Sequence, residues 1–326
     1  MLALVEDRSQ VAELRRAVVE LAQRGGFDEP SAARVALVAT EMATNLLKHA
    51  GRGQVLIEGR VGAPARRLDL IALDQGPGIA DLRRALEDGT STAGSPGTGL
   101  GAIRRQADEF AIWSRPGQGT AVLARFGPGT KHARVDLGAV AEPLPGEIVC
   151  GDSWCFSDAE VGPSLLMVDG SGHGAAAALA ADAAVQAFQE GADLEPVRRM
   201  ERIHRALAPT RGAAVAIATV DRTQRLVRFV GVGNIGAALS SGGTVKRMVS
   251  HNGTAGHVAP RIREFTYPFE ALPTVILHSD GISARWDLAS YPGLVESHPA
   301  LIAALVFRDH RRGKDDASVA AMRLLS

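Results

Sequence analysis

Apolar residues recur at Val11, Leu14, Val18 and Leu21 within VAELRRAVVELAQRGG, a helical spacing that stops at Gly25 and Gly26. Behind Pro30 and Ser31, the Ala-rich SAARVALVATEMATNLLKHA has no internal Gly or Pro and predicts a helix to His49, ending before Gly51. There the period changes. QVLIEGRV and RRLDLIALD predict two short strands, the second delivering Asp74 to the turn QGPGI. The polar run TSTAGSPGTGLG predicts a loop feeding a helix, and DEFAIWSRPGQGTAVLARF predicts strand, turn at Pro116 and Gly117, and strand. The expected unit is a sheet with helices on one face.

The Gly-rich, polar GPGTKHAR then separates a second series of elements. VDLGAVAEP, PSLLMVDGSG, AAVAIATVD, RLVRFVGVG and PTVILHSDG predict strands; GAAAALAADAAVQAFQE, LEPVRRMERIHRALA and HPALIAALVFRDH predict helices. Hairpin partners outnumber regular strand-helix alternation, so the pattern predicts two packed sheets flanked by helix pairs. The fold class is α+β in two domains, 1–126 and 135–326, with a linker at 127–134.

A chain of 326 residues with 46% hydrophobic content fills two ordinary cores. Lys+Arg and Asp+Glu are both 36, which leaves no polybasic surface for nucleic acid or acidic lipid, so phosphate chemistry must come from local constellations. No stretch approaches the roughly 20 apolar residues that span a bilayer, and no leader pattern opens the chain; the expectation is a cytoplasmic protein without nucleic-acid or membrane partners. Cys150 and Cys155 lack zinc-site spacing and are expected to be reduced structural thiols.

Four segments each place an aspartate at a strand end or turn: GEIVCGDSW with Asp152, LLMVDGSGHG with Asp169, VILHSDGIS with Asp280, and GKDDAS with Asp315 and Asp316. A lone Asp there is ordinarily a turn cap. Several carboxylates converging from separate strand ends are what hard divalent ions need, and two ions about 3.5–4 Å apart activate a water against a phosphoryl group. The motifs CGDSW, DGSGHG, HSDGI and KDDAS resemble the bacterial SpoIIE-like branch of the PPM/PP2C serine/threonine phosphatases. The resemblance implies that Asp152, Asp169, the Gly170 carbonyl, Asp280 and Asp315 hold two Mn²⁺ or Mg²⁺, with Asp316 behind them and Glu147 a weaker ligand candidate. His173 reads either as a proton donor or as a packed helix-start residue, His278 as a supporting group or a core histidine, and Asn234 as a peripheral turn residue.

In the first domain Glu41, Asn45 and His49 recur every four residues along one helical face. Asp74 heads DQGPGI, and GTGLG from Gly97 to Gly101 offers backbone N–H groups at a helix start, a way to receive phosphates. These segments together resemble the Bergerat-fold ATP-binding domain of the GHKL superfamily, with an N box at Glu41 to His49, a G1 box at Asp74, Gly76 and Gly78, and a G2 box at Gly97, Thr98, Gly99, Leu100 and Gly101. No dimerisation helix pair with a phosphoacceptor histidine precedes the N box. The unit looks closer to the small serine/threonine kinases of bacterial partner-switching pathways, both anti-sigma kinases and the switch kinase of the stressosome, and the run ADEFAIWSRPGQGTAV favours the switch-kinase branch. The resemblance implies ATP with Mg²⁺: Glu41 near the γ-phosphate and as candidate base, Asn45 toward Mg²⁺, Asp74 on the adenine amine, Thr120 beside Asp74, and Lys48 toward phosphate or partner.

Both resemblances together imply a Bergerat-type α/β sandwich followed by a PP2C-like α-β-β-α sandwich, and a bifunctional regulator. Its second domain removes phosphate from phosphoserine or phosphothreonine of a STAS-domain protein of the anti-anti-sigma or stressosome kind, and its first binds ATP and phosphorylates such a protein. Two alternatives stay open: a phosphatase with a noncatalytic ATP-sensing or partner-binding first domain, and a noncatalytic scaffold. A sigma-pathway protein and a homodimer are further partner options.

Overall fold

In the computed structural model, which describes residues 1–60, 67–86, 99–127, 134–259 and 261–325, the first helix α1 (Arg8–Arg24) starts at a capping box. Asp7 Oδ1 accepts from the Ser9 amide at 2.7 Å, while Gln10 Oε1 accepts from the Asp7 amide at 3.1 Å. Helix α2 (Glu29–Asn45) starts behind Asp28, whose carboxylate accepts from Ser31 N at 3.0 Å, and continues as a π turn over Leu46–Ala50. A five-stranded sheet runs in the order β1-β2-β3-β5-β4, from β1 (Leu2–Val5), β2 (Gly53–Arg60), β3 (Arg67–Leu73), β4 (Glu109–Arg115) and β5 (Gly119–Phe126). Every pairing is antiparallel. Short α3 (Leu82–Ala85) and α4 (Gly99–Gln106) complete the unit. Leu14 and Val18 of α1, Val35, Val38 and Met42 of α2 and Ile103 of α4 pack on Ile57, Leu70, Val122 and Ala124, so the helices share one face of the sheet. Strand β1 has only four residues, too few for a visible alternation, and the pattern did not predict it.

The chain divides into two compact units, Met1–His132 and Ala133–Ser326. Of the expected linker 127–134, residues 128–133 lie outside the described residues.

The second unit holds two five-stranded antiparallel sheets. One runs β13-β10-β9-β8-β7, with β7 (Asp152–Ala159), β8 (Gly162–Gly170), β9 (Ala213–Asp221), β10 (Leu226–Val232) and β13 (Phe265–Pro268). The other runs β12-β11-β14-β15-β6, with β6 (Val135–Glu142), β11 (Gly236–Ser241), β12 (Thr244–Met248), β14 (Thr274–His278) and β15 (Ala317–Leu324). Leu165, Met167, Phe229, Leu239, Leu277 and Met322 fill the space between them. Helices α5 (Ala175–Glu190) and α6 (Pro196–Leu207) cover the outer face of the first sheet through Ala180, Ala184, Phe188, Met200 and Ile203.

Here the expectation of helix pairs on both sides needs correction. Among the described residues one long helix, α7 (Pro299–His310), lies on β6 and β15, where Gly138 leaves room for the Ala300 backbone. Its nine buried residues, Pro299 through Phe307, make it apolar nearly all round, so it needs no partner helix on the same layer. Among the described residues no helix is long and apolar enough to cross a membrane.

Candidate metal centre and nucleotide site

The acidic residues of the second unit meet at one end of its two sheets. Asp152 opens β7 and lies directly across from Asp169 near the end of β8. Asp280 follows β14, and Asp315 and Asp316 precede β15 in the facing sheet. The two strand pairs therefore supply the group from opposite layers. Ser318 Oγ crosses between them, donating to Asp152 Oδ2 at 2.9 Å, and Ser318 N donates to Ser279 Oγ at 2.9 Å. A Cβ on Gly281 would overlap the Asp316 carbonyl, so only glycine lets these two segments approach.

Each carboxylate has a distinct environment. Asp152 is buried, which raises its pKa to about 7 even though hydroxyls of Ser279 and Ser318 favour its charge. Burial, then the charges of Asp152 and Asp280, raises Asp169 to about 8. Asn234 Nδ2 donates to Asp280 Oδ2 at 2.7 Å. Asp316, 2% exposed, accepts from Leu144 N at 2.7 Å and Gly151 N at 2.8 Å, which pins the segment leading into Asp152. Asp315 Oδ1 accepts from Asp316 N at 2.9 Å.

Carboxylates that raise one another's pKa, with Asp152 and Asp316 buried, are a poor end state for a fold unless a cation joins them. Oxygen donors from four strand ends fit hard divalent ions such as Mg²⁺ or Mn²⁺.

Four residues outside this set take definite places, His278 among them in the second of its two sequence readings. Asn234 lies in the bend after β10, and its amide also orients Asp280. Glu147 turns its carboxylate to His173 Nδ1 at 2.6 Å, so His173 is engaged sideways rather than packed as a helix start. His278 is a core histidine: burial lowers its pKa to about 4, Nδ1 bonds the Ser279 carbonyl at 2.8 Å, and the ring meets Trp286 edge-on at 5.9 Å. Ser279 and Ser318 were not read from the sequence, although both stand inside quoted motifs, HSDGI and KDDAS. Cys150 and Cys155 are free thiols.

In the first unit Asp74 leaves β3 and organises the following turn. Its Oδ1 accepts from Gly76 N at 2.8 Å and Thr120 N at 3.2 Å, and its own amide bonds the Thr120 carbonyl at 3.0 Å. Gly119, at φ +82°, lies where any Cβ would overlap the Asp74 carbonyl. Ser114, paired with Thr120 across the hairpin, bonds its hydroxyl at 2.9 Å and accepts from Ile79 N at 2.8 Å, tying the turn through Gly78 to β4. Sequence reasoning missed Ser114; the predicted hairpin register was the available signal.

On α2, Glu41 is half-buried one turn before Asn45. Among the described residues Asn45 Nδ2 is buried without a hydrogen-bond partner, and a Cβ on Gly99 would come within 2.8 Å of Asn45 Oδ1. A buried unsatisfied amide beside a helix start fits a ligand that supplies both polar atoms and charge. His49 stands in the π turn; burial and Lys48 lower its pKa, with Asp74 acting in the opposite direction. Leu100 and Gly101 begin α4 with Gly99, whereas Gly97 and Thr98 lie outside the described residues.

Comparisons with known proteins agree with this division. Residues 162–324 match the family Stage II sporulation protein E (SpoIIE), and residues 4–126 match the histidine kinase-like ATPase domain. The chain is similar to serine/threonine-protein kinase RsbT of Bacillus subtilis (strain 168), 41% identical over 104 residues, which is 32% of this chain and 78% of that protein. A solved structure from work on the bacterial stressosome, a modular system adapted to control secondary messenger signalling, covers 59% of this chain and 100% of its own at 26% identity and a TM-score of 0.55. RsbX in complex with magnesium covers 60% of this chain and 97% of its own at 22% identity and a TM-score of 0.52, a likeness of fold.

Proposed function

Because this chain belongs to the SpoIIE family of PP2C-type phosphatases and carries a histidine kinase-like ATPase domain at residues 4–126, we propose that it is a bifunctional partner-switching enzyme acting on phosphoserine or phosphothreonine of a STAS-type protein. The observation that carries the reading is Asp152 facing Asp169 across β7 and β8, with Asp280 and Asp315 arriving from the opposite sheet.

In this reading Asp152, Asp169, the Gly170 carbonyl, Asp280 and Asp315 hold two Mn²⁺ or Mg²⁺. Such ions, when bound, supply charge against the phosphoryl oxygens and activate a water. The protein's own part is placement: Ser318 fixes Asp152, Asn234 fixes Asp280, and Asp316 holds the Leu144 to Gly151 segment in register. In the first unit Asp74 and Thr120 receive the adenine, Asn45 faces the Mg²⁺ of ATP, and Glu41 accepts the proton of the attacking serine or threonine hydroxyl. Similarity to a named serine/threonine kinase supports phosphotransfer over nucleotide binding alone. The two activities need not cancel, because the partner that docks selects which site is reached.

The carboxylate environments set a pH dependence. Asp152 at about 7 and Asp169 at about 8 retain protons at pH 6 that a cation must displace. Mn²⁺ affinity measured by calorimetry should therefore rise by roughly tenfold or more from pH 6 to pH 8, with protons released on binding. An affinity that is flat over this interval contradicts the assignment.

The direct test incubates the full chain with ATP, a divalent cation and a STAS partner, and follows the partner's intact mass with and without chelator. A gain of one phosphate establishes the kinase. Its metal-dependent loss from phosphorylated partner establishes the phosphatase, and a partner unchanged in both arms refutes the proposal.

A further inference from the structure

We infer that Arg211 binds the phosphoryl group of the phosphatase substrate, on the flank of the acidic site opposite Asp152; this deepens the phosphatase reading and rests on it. Strand β8 lies between β7, which begins with Asp152, and β9, which begins just after Arg211. The β8–β9 register pairs Asp169 with Ala214 and Gly170 with Ala213, and it continues beyond the strands, where Ser171 N donates to the Gly212 carbonyl at 3.0 Å. Arg211 thus falls opposite Gly172. Its Nη1 lies 3.4 Å from where a Gly172 Cβ would stand, over the DGSGHG turn that carries Asp169.

The turn that presents Arg211 is built rather than loose. Thr210 Oγ1 donates to the Leu207 carbonyl at 2.7 Å and accepts from Gly212 N at 3.0 Å, and His257 Nε2 bonds the Thr210 carbonyl at 3.1 Å. Arg211 itself is exposed, and among the described residues its guanidinium makes no hydrogen bond or ion pair. Arg211 thus stands over a glycine turn with its donors available. A guanidinium matches the paired oxygens of a phosphoryl dianion, and Arg on phosphate forms a strong charge-assisted contact. The carboxylates take cations and have no donor for the substrate oxygens, so this side chain supplies the missing donor.

The test uses the Mn²⁺-loaded full chain and inorganic phosphate as the calorimetric probe, with KM and kcat for a phosphoserine peptide as a second readout. Arg211→Ala should weaken phosphate binding and raise KM by about tenfold or more, with kcat changed less than KM and Mn²⁺ affinity unaltered. Arg211→Lys, which keeps the charge but loses the fork, should recover part of the loss. Phosphate affinity within threefold of wild type in Arg211→Ala overturns the inference. So does an equal loss of Mn²⁺ affinity, which marks a merely structural role. If the wild-type chain binds phosphate but turns over no phosphopeptide, the phosphatase reading fails separately and the binding measurement still decides Arg211.

Discussion

Asp169→Asn is expected to reduce Mn²⁺-dependent dephosphorylation by roughly 10²–10³-fold or more, a loss of the size seen when one positioned electrostatic group is removed from a reacting centre. Asp169 holds the central place in the constellation: it faces Asp152 across the β7–β8 ladder, and its charge is opposed by Asp152, Asp280 and Asp315. The same substitution should stabilise the protein when metal is chelated. A carboxylate whose folded pKa is raised holds a proton that the unfolded chain has released, so the metal-free fold loses stability as pH rises from about 4 toward 8. An amide removes that penalty, a gain on the order of 1–3 kcal/mol near pH 8. Thermal unfolding at pH 8 should therefore rank Asp169→Asn above wild type in chelator and below it in Mn²⁺. Turnover retained within tenfold, or the same ranking in both media, sinks the assignment of Asp169 as a cation-bearing group.

The reason this centre was legible before any coordinates is that its groups sit in short, local motifs. DGSGHG and HSDGI each combine a strand end, a carboxylate and glycines within a few residues. What stayed hidden depends on pairing at a distance. Ser318 reaches Asp152 from 166 positions away, and Asn234 reaches Asp280 from 46; no period in the chain records either bond. The reading of Asn234 as a turn residue missed its bond to Asp280 for that reason, since turn propensity and long-range donation use the same amide. Asp316 accepts from Leu144 N and Gly151 N, and neither of these distant partners was foreseeable. At fold level the helical periods of α1, α2, α5 and α6 and the apolar runs of β3, β8, β9 and β14 were strong enough to read. Strands β12 and β13 are mostly exposed or half-exposed edge strands of five and four residues; β12 carries no apolar alternation, and the alternation of β13 is too short to read.

Asp74→Asn should lower ATP affinity by about 100-fold, measured by calorimetry or by displacement of a fluorescent nucleotide, while leaving phosphatase turnover unchanged. Asparagine keeps a carbonyl oxygen for the Gly76 and Thr120 amides, bonds of 2.8 and 3.2 Å that shape the turn, so the local fold survives. It replaces the second carboxylate oxygen with a donor, which would meet the donor amine of adenine head-on. Losing a charged hydrogen bond and gaining a donor clash amount to about 3 kcal/mol, which is the hundredfold. The turnover prediction follows from the separate hydrophobic cores of the two units. ATP affinity within threefold of wild type shows that Asp74 does not read the base. A companion variant separates binding from transfer: Glu41→Gln should bind ATP as wild type does yet pass no labelled phosphate to a STAS partner. Labelled partner appearing with Glu41→Gln at the wild-type rate removes Glu41 as the base, and Asp74 then marks a nucleotide site whose chemistry uses a different group.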